Sequence, residues 1–379
     1  MCRCANATSY NLLHSHIFTS AHWFIRTLIN FPTFLLQLLT MNKLFFGLCL
    51  FLVACESATK TDNNTKADMK LVGTVERLDP ELDSIIKQDA QAEVLATGFD
   101  WSEGPVWVAD HNMLLFSDIP PNKIFKWTEA KGLELYVTPS GYTDSAKRGG
   151  EVGSNGLVIS PLDGKLVMCQ HGDRRIAYMN APLVAPAPNY VSVADKYQGK
   201  RFNSPNDLVF RSNGDIFFTD PPYGLEKNMD DPHKEIPFQG VYKVNQKGEV
   251  TLLIDSITRP NGIGFLQGEK TLIVANSDPQ KAIWYLYDIG PNDTLTSAGV
   301  LYDATEAGKT AHGSPDGLKV SRKGIIFATG PGGIWIFSPQ RKLVGKIKIP
   351  DPCSNVALSD DEKTLYITND GNLLRVKLQ

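Results

Sequence analysis

The sequence predicts an all-β fold: a six-bladed β-propeller of four-stranded antiparallel blades, its ring closed by an N-terminal strand joining the C-terminal blade. Three observations predict it. One two-strand pattern recurs six times between Glu103 and Asn369. The spacing leaves room for two more strands after most copies. The last copy ends one strand short, while an unpartnered strand precedes the first.

The copies are EGPVWVADHNMLLFSD from Glu103, NGLVISPLDGKLVMCQ from Asn155, NDLVFRSNGDIFFTD from Asn206, NGIGFLQGEKTLIVAN from Asn261, DGLKVSRKGIIFATG from Asp316 and NVALSDDEKTLYITN from Asn355. Each opens on Glu, Asn or Asp, and four continue with Gly. An apolar strand follows, then a turn, then a second apolar strand. Asp163-Gly164, Asn213-Gly214 and Lys323-Gly324 supply hairpin chemistry at three of the turns. A small or polar residue closes each copy: Asp118, Gln170, Asp220, Asn276, Gly330 or Asn369. The leading residues are 52, 51, 55, 55 and 39 positions apart, close to the ~40–50 residues of a four-stranded blade. In the third copy the further strands are 240–244 and 250–255; in the fifth they are 333–337 and 343–349. The sixth copy has chain for only three strands, 356–358, 364–368 and 373–376. The spare run 92–99 completes it and removes the open sheet edge.

In such a ring every innermost strand starts at the mouth of the central channel. Glu103, Asn155, Asn206, Asn261, Asp316 and Asn355 therefore form a ring of carboxylate and amide oxygens. Two confined carboxylates repel unless a positive charge sits between them. Oxygen-only ligation suits one divalent metal ion, Ca²⁺ or Mg²⁺, and tolerates Mn²⁺ or Zn²⁺. For any single copy the competing reading is that Asn, Asp and Gly merely mark turns.

The 379 residues are 42% hydrophobic and 21% charged, ordinary globular usage that excludes disordered, collagen-like and coiled-coil chains. A net charge of −3 gives no basic footprint for nucleic acid. Residues 1–54 contain no Asp or Glu. Within them Met41, Asn42 and Lys43 precede an apolar run of 11 residues, 44–54, ending LVAC at Cys55. The run is too short to span a bilayer, which takes about 20 residues. It reads as a secretory signal and resembles a bacterial lipobox, with Cys55 the lipidated residue. The polar stretch 56–70 reads as a disordered tether. The expected organisation is 1–40 upstream of a true start at Met41, 41–54 signal peptide, 55–92 tether and lead-in, and 93–379 propeller. The protein is then lipid-anchored in a bacterial cell envelope, periplasmic or outer-membrane associated, touching membrane only through Cys55. Cys169 and Cys353 are expected as two separate buried thiols.

The segments WSEGPVW (101–107), NSPNDLVF (203–210), FTDPPYGL (218–225), RPNGIGF (259–265) and SPDGLKV (314–320) resemble the gluconolactonase and regucalcin (senescence-marker protein) family, most closely its bacterial gluconolactonase branch. The likeness runs from about residue 93 to the end. It implies a six-bladed propeller that hydrolyses a sugar lactone with one bound divalent metal. It further implies Glu103, Asn261 and Asp316 as metal ligands, Asn206 on the metal or its water, and Asp316 as general base. Asn155 and Asn355 rest on the ring argument alone.

Lactone hydrolysis needs a polarised carbonyl, an activated water and a neutralised oxyanion. A metal can serve the first and third, and a carboxylate can take the proton of the water. A carboxylate that also ligates a cation is a weaker base, so Asp316 as ligand only is the competing role. Further candidates for substrate contact are Asn155, Asn206, His171, Tyr223 and His312, with the two histidines also able to shuttle a proton; a lone His is more often structural. Arg174 and Arg175 are sugar contacts or surface charge. The absence of Gly-x-Ser-x-Gly, P-loop and dinucleotide motifs disfavours serine-hydrolase and nucleotide chemistry. Two rivals remain at this stage, a non-catalytic envelope propeller binding carbohydrate or protein and a metal-assisted phosphotriesterase.

The Cys55 reading is testable in cells. Cys55→Ser should leave the precursor uncut and unlabelled by radioactive fatty acid, and translation from Met41 alone should yield the same mature protein. Normal processing of the Ser variant would contradict lipidation.

Overall fold

The computed structural model describes residues 70–379. The expectations for Met41, the 41–54 signal and Cys55 lie outside these residues. Each repeat copy folds as the two inner strands of one antiparallel sheet. Blade one is Ser102–Val108, Met113–Asp118, Lys123–Thr128 and Gly132–Val137; blade two is Ser154–Ile159, Leu166–Gln170, Arg175–Met179 and Tyr190–Ala194. Blade three is Leu208–Phe210, Ile216–Asp220, Gly240–Val244 and Val250–Ile254; blade four is Pro260–Phe265, Thr271–Asp278, Lys281–Ile289 and Leu295–Asp303. Blade five contains Leu318–Val320, Ile326–Gly330, Gly333–Phe337 and Leu343–Lys348. Blade six contains Cys353–Leu358, Thr364–Asn369, Asn372–Lys377 and, from the other end of the chain, Ala92–Thr97.

The ring closes as the strand count requires. Leu374 pairs with Val94 and Arg375 with Glu93 across the seam. The Arg375 guanidinium also bridges Glu93 to Glu129 of blade one. The six inner strands touch one another in a closed circle.

The blades stack face to face, so second strands are apolar on both faces rather than alternating. Met113–Asp118, Leu166–Gln170, Ile216–Asp220 and Ile326–Gly330 are buried at every position. Six apolar clusters fill the six gaps between blades, from Leu115 with Met168 between blades one and two to Phe116 with Tyr366 between blades six and one. Cys169 and Cys353 are separate buried thiols, as expected.

The lead-in is more structured than its sequence suggested. Leu71–Val72 adds a fifth, outer strand to blade six, and Thr74–Arg77 adds one to blade five. Gly73 makes the crossing between them at φ +76, where a Cβ would lie 2.5 Å from the Lys348 carbonyl oxygen. The 3₁₀ turn Pro80–Ser84 then buries Leu82, and Ile85 and Ile86 join the cluster between blades five and six. One segment thus straps two blades beside the seam.

A chain starting at residue 70 should melt at the same temperature as one starting at residue 55. Starting at residue 92 keeps the closing strand but uncovers the sites of Leu82 and Ile86, each worth about 1.5–3 kcal/mol of burial, and should lower the midpoint by several degrees. Starting at residue 100 removes the closing strand and should lower it further. Equal midpoints for the 70 and 100 starts would contradict strand closure.

Candidate active site

Three repeated devices bring the leading residues together. The first is the glycine that follows four of them. A Cβ at Gly104 would lie 1.9 Å from the Asn155 carbonyl oxygen, and one at Gly262 would lie 2.1 Å from that of Asp316. Glycine lets each inner strand press against the leading residue of the next blade. The second device is the polar residue closing each copy, which ties down the loop entering the ring. Asp118 accepts from the Asp100 and Trp101 N–H groups at 3.0 Å, and Asp220 accepts from the Asn203 and Ser204 N–H groups at 2.8 Å. Asn276 accepts from the Arg259 N–H at 2.9 Å. Blade five has Gly330 there, where a Cβ would meet the Trp284 ring at 2.8 Å. The third device is a hydroxyl just before that residue. Ser117 donates to the Asn155 carbonyl at 2.9 Å, Thr219 to that of Asn261 at 2.8 Å, and Thr368 to that of Asn355 at 3.2 Å.

The result is a cavity of about 290 Å³ at the channel mouth, lined by Glu103, Asn155, Asn206, Asn261 and Asp316. Trp101, Glu151, Tyr223, Ser277 and Cys353 complete its wall. The volume sits at the lower end of the ~300–1,000 Å³ typical of small-ligand sites. Asn355 is set back from it: its amide donates to Glu103 Oε2 at 3.2 Å, and the Lys319 ammonium donates to its Oδ1 at 3.4 Å. Ser277 joins two ring members, accepting from the Asn261 amide at 3.0 Å and donating to the Pro315 carbonyl at 2.6 Å.

The electrostatics are those of too many acceptors. Burial pushes Glu103 up to about 8; the Gly104 N–H and the Asn355 amide oppose this, and the buried Asp207 carboxylate adds to it. Burial, then the Glu103 charge, pushes Asp316 well above the usual carboxylate range. Asn155 Oδ1, Asn206 Oδ1 and Asp316 Oδ1 are buried without a hydrogen-bond partner among the described residues. Such orphaned acceptors cost about 1–3 kcal/mol each; a cation would satisfy those of Asn206 and Asp316, and a donor on a bound ligand that of Asn155. Two carboxylates plus amide oxygens make a hard, oxygen-only donor set. The Cys353 thiol borders the cavity, but burial pushes it up to about 12, which keeps it protonated. The residues therefore fit a hard divalent ion.

The other candidates separate. Tyr223 stands in the cavity wall, on a loop held by Ser204, whose hydroxyl donates to the Pro221 carbonyl at 2.6 Å and accepts from the Gly224 N–H at 2.9 Å. His171 is buried behind Asn155 rather than in the cavity. The His312 side chain is exposed and only its neighbours Gly313 and Ser314 reach the wall. Arg174 is consumed by the Phe202, Asn203 and His233 carbonyls, and Arg175 by Gln170 and Asp173. Sequence reasoning gave no role to Trp101 or Ser277, and it reached Glu151 only as the end of a Gly- and Lys-rich loop, 139–151, expected to border the entrance. The hydroxyl-plus-polar pairs Ser117-Asp118, Thr219-Asp220 and Thr368-Asn369 were a readable sign of the clamps.

Residues 101–370 match the family described as the SMP-30/Gluconolactonase/LRE-like region. A gluconolactonase of Zymomonas mobilis is 36% identical over 328 residues, covering 85% of this chain and 90% of its own. A Xanthomonas campestris gluconolactonase structure superposes with a TM-score of 0.68 at 24% identity, covering 82% of this chain and 97% of its own. The calcium-binding regucalcin of Agrobacterium tumefaciens shares the fold at 16% identity, with a TM-score of 0.58 over 75% of this chain and 93% of its own. With a match over most of its length, this chain belongs to the SMP-30/gluconolactonase/LRE-like family.

Proposed function

We propose that this chain is a lactone hydrolase that opens a sugar lactone with the help of one divalent cation, Ca²⁺ by preference. The observation that carries the reading is the meeting of Glu103 and Asp316 with three amide side chains in one small cavity at the channel mouth. The 36% identity to a gluconolactonase supports the substrate class.

Glu103, Asn206, Asn261 and Asp316 would hold the cation. When bound, it supplies Lewis-acid polarisation of the lactone carbonyl and charge for the developing oxyanion. Asp316, whose Oδ1 lacks a partner among the described residues, takes the proton of the attacking water. The Asn261 amide favours the charged form of Asp316 against the opposing push of burial and Glu103. Asn155 and Tyr223 line the cavity and orient the ring of the substrate. Trp101 gives the sugar an apolar wall. Lipidation at Cys55 would hold this activity at the cell envelope.

Purified protein should open gluconolactone, and chelation should abolish turnover until Ca²⁺ is returned. Chelated protein that keeps full turnover would contradict the cation. Asp316→Asn should cost ~10²–10⁴-fold in kcat as lost general-base catalysis; if it keeps most metal affinity, Asp316 is chiefly the base. If excess metal restores part of the rate, Asp316 is chiefly a ligand. Glu103→Gln should weaken metal binding and turnover together. Wild-type turnover and metal affinity in both variants would favour a non-catalytic binding role for the ring.

A further inference from the structure

One side-chain chain at the cavity lies outside the cation site. His171 is fully buried, with Asn155 between it and the cavity. Its backbone is clamped: the N–H donates to the Gly153 carbonyl at 3.2 Å, and its carbonyl accepts from the Arg174 N–H at 3.2 Å. A Cβ at Gly224 would lie 2.7 Å from the His171 Cβ, so the loop after Pro221 packs directly on this residue. The imidazole Nε2 lies 3.3 Å from Asn155 Nδ2. Nδ1 lies 3.5 Å from Glu151 Oε2 and has no hydrogen-bond partner among the described residues.

The chemistry of these three groups fixes a direction. The Asn155 Nδ2 carries only hydrogens, so Nε2 must accept from it. A neutral imidazole that accepts at Nε2 carries its proton on Nδ1. There the proton faces a carboxylate, which can only accept. Asn155 lines the cavity, and with Nδ2 engaged its Oδ1 is left without a hydrogen-bond partner among the described residues. The opposite tautomer would demand the reverse amide orientation and would aim an NH₂ group at the cavity instead.

We infer that Glu151 and His171 are positioning residues that fix the imidazole tautomer, so that Asn155 presents an acceptor oxygen to a hydroxyl of the bound substrate. The pair thereby selects a lactone carrying a hydroxyl donor at that point. This inference rests on the lactone-hydrolase reading for its substrate, and on geometry alone for its tautomer.

Two measurements test it. Nitrogen-15 NMR of histidine-labelled protein at neutral pH should show His171 protonated on Nδ1; protonation on Nε2 overturns the inference. Steady-state kinetics should show His171→Phe raising KM roughly 3–10-fold with kcat little changed, as for one lost ground-state hydrogen bond. In an Asn155→Ala background the same substitution should change KM less than about 2-fold, since it acts through a group already removed. Additive effects overturn the inference. Should His171→Phe fail to fold, Glu151→Ala, at a half-exposed site in the cavity wall, carries the same cycle with the same two outcomes. Wild-type protein inactive on every lactone would sink the functional reading, while the tautomer would still decide the Glu151–His171–Asn155 arrangement.

Discussion

The constraint on which the structure turns is the confinement of acidic oxygens. Glu103 and Asp316 come from blades one and five, yet share one cavity at the channel mouth with Asn155, Asn206 and Asn261. Among the described residues nothing donates to three of these oxygens. A fold rarely tolerates such an arrangement unless a ligand repays it, because desolvated charge is costly without a partner. Lys319 does not fill the role, since it sits behind Asn355 and its effect on Glu103 is outweighed by burial. The gathered oxygens suit the divalent cation proposed for this site.

Ring closure is what makes the confinement possible. The inner strands converge only because glycines such as Gly104 and Gly262 allow contact with the next leading residue. Hydroxyls from Ser117, Thr219 and Thr368 then fix the carbonyls of Asn155, Asn261 and Asn355. Stability resides elsewhere, in the apolar gaps between blades and at the seam where Arg375 meets Glu93. The lead-in strap adds to that seam from outside. Site and stability therefore occupy different radii of the same ring, and the strain of gathered acceptors at the centre is carried by packing further out.

The fold was legible because a propeller repeats itself. The leading Glu, Asn or Asp, the following glycine and the closing polar residue recur in register, and the strand count at the two ends foretold the seam between Ala92–Thr97 and Asn372–Lys377. The ring was legible for the same reason, apart from the depth of Asn355. Glu151 was not, since it lies outside any repeat and its place depends on a loop path. The exposed His312 side chain lies outside the cavity wall despite its place near Asp316 in sequence, since proximity along the chain does not set side-chain direction. The strap 71–86 escaped notice because its two strands are short and its apolar residues show no long periodicity. Leu71–Val72 pairs with the nearby Ala92 and Glu93, but the rest of the strap meets strands encoded more than 200 residues away.

The central claim is that one divalent cation is shared across blades one, three, four and five. Calorimetric titration of chelated protein with Ca²⁺ tests it most directly, because it reads binding without catalysis. The account predicts a single site per chain in the wild type and no detectable site when Glu103→Gln and Asp316→Asn are combined, with the fold intact by circular dichroism. Undiminished single-site binding in that double variant, or no binding of any divalent ion by the wild type, would contradict it.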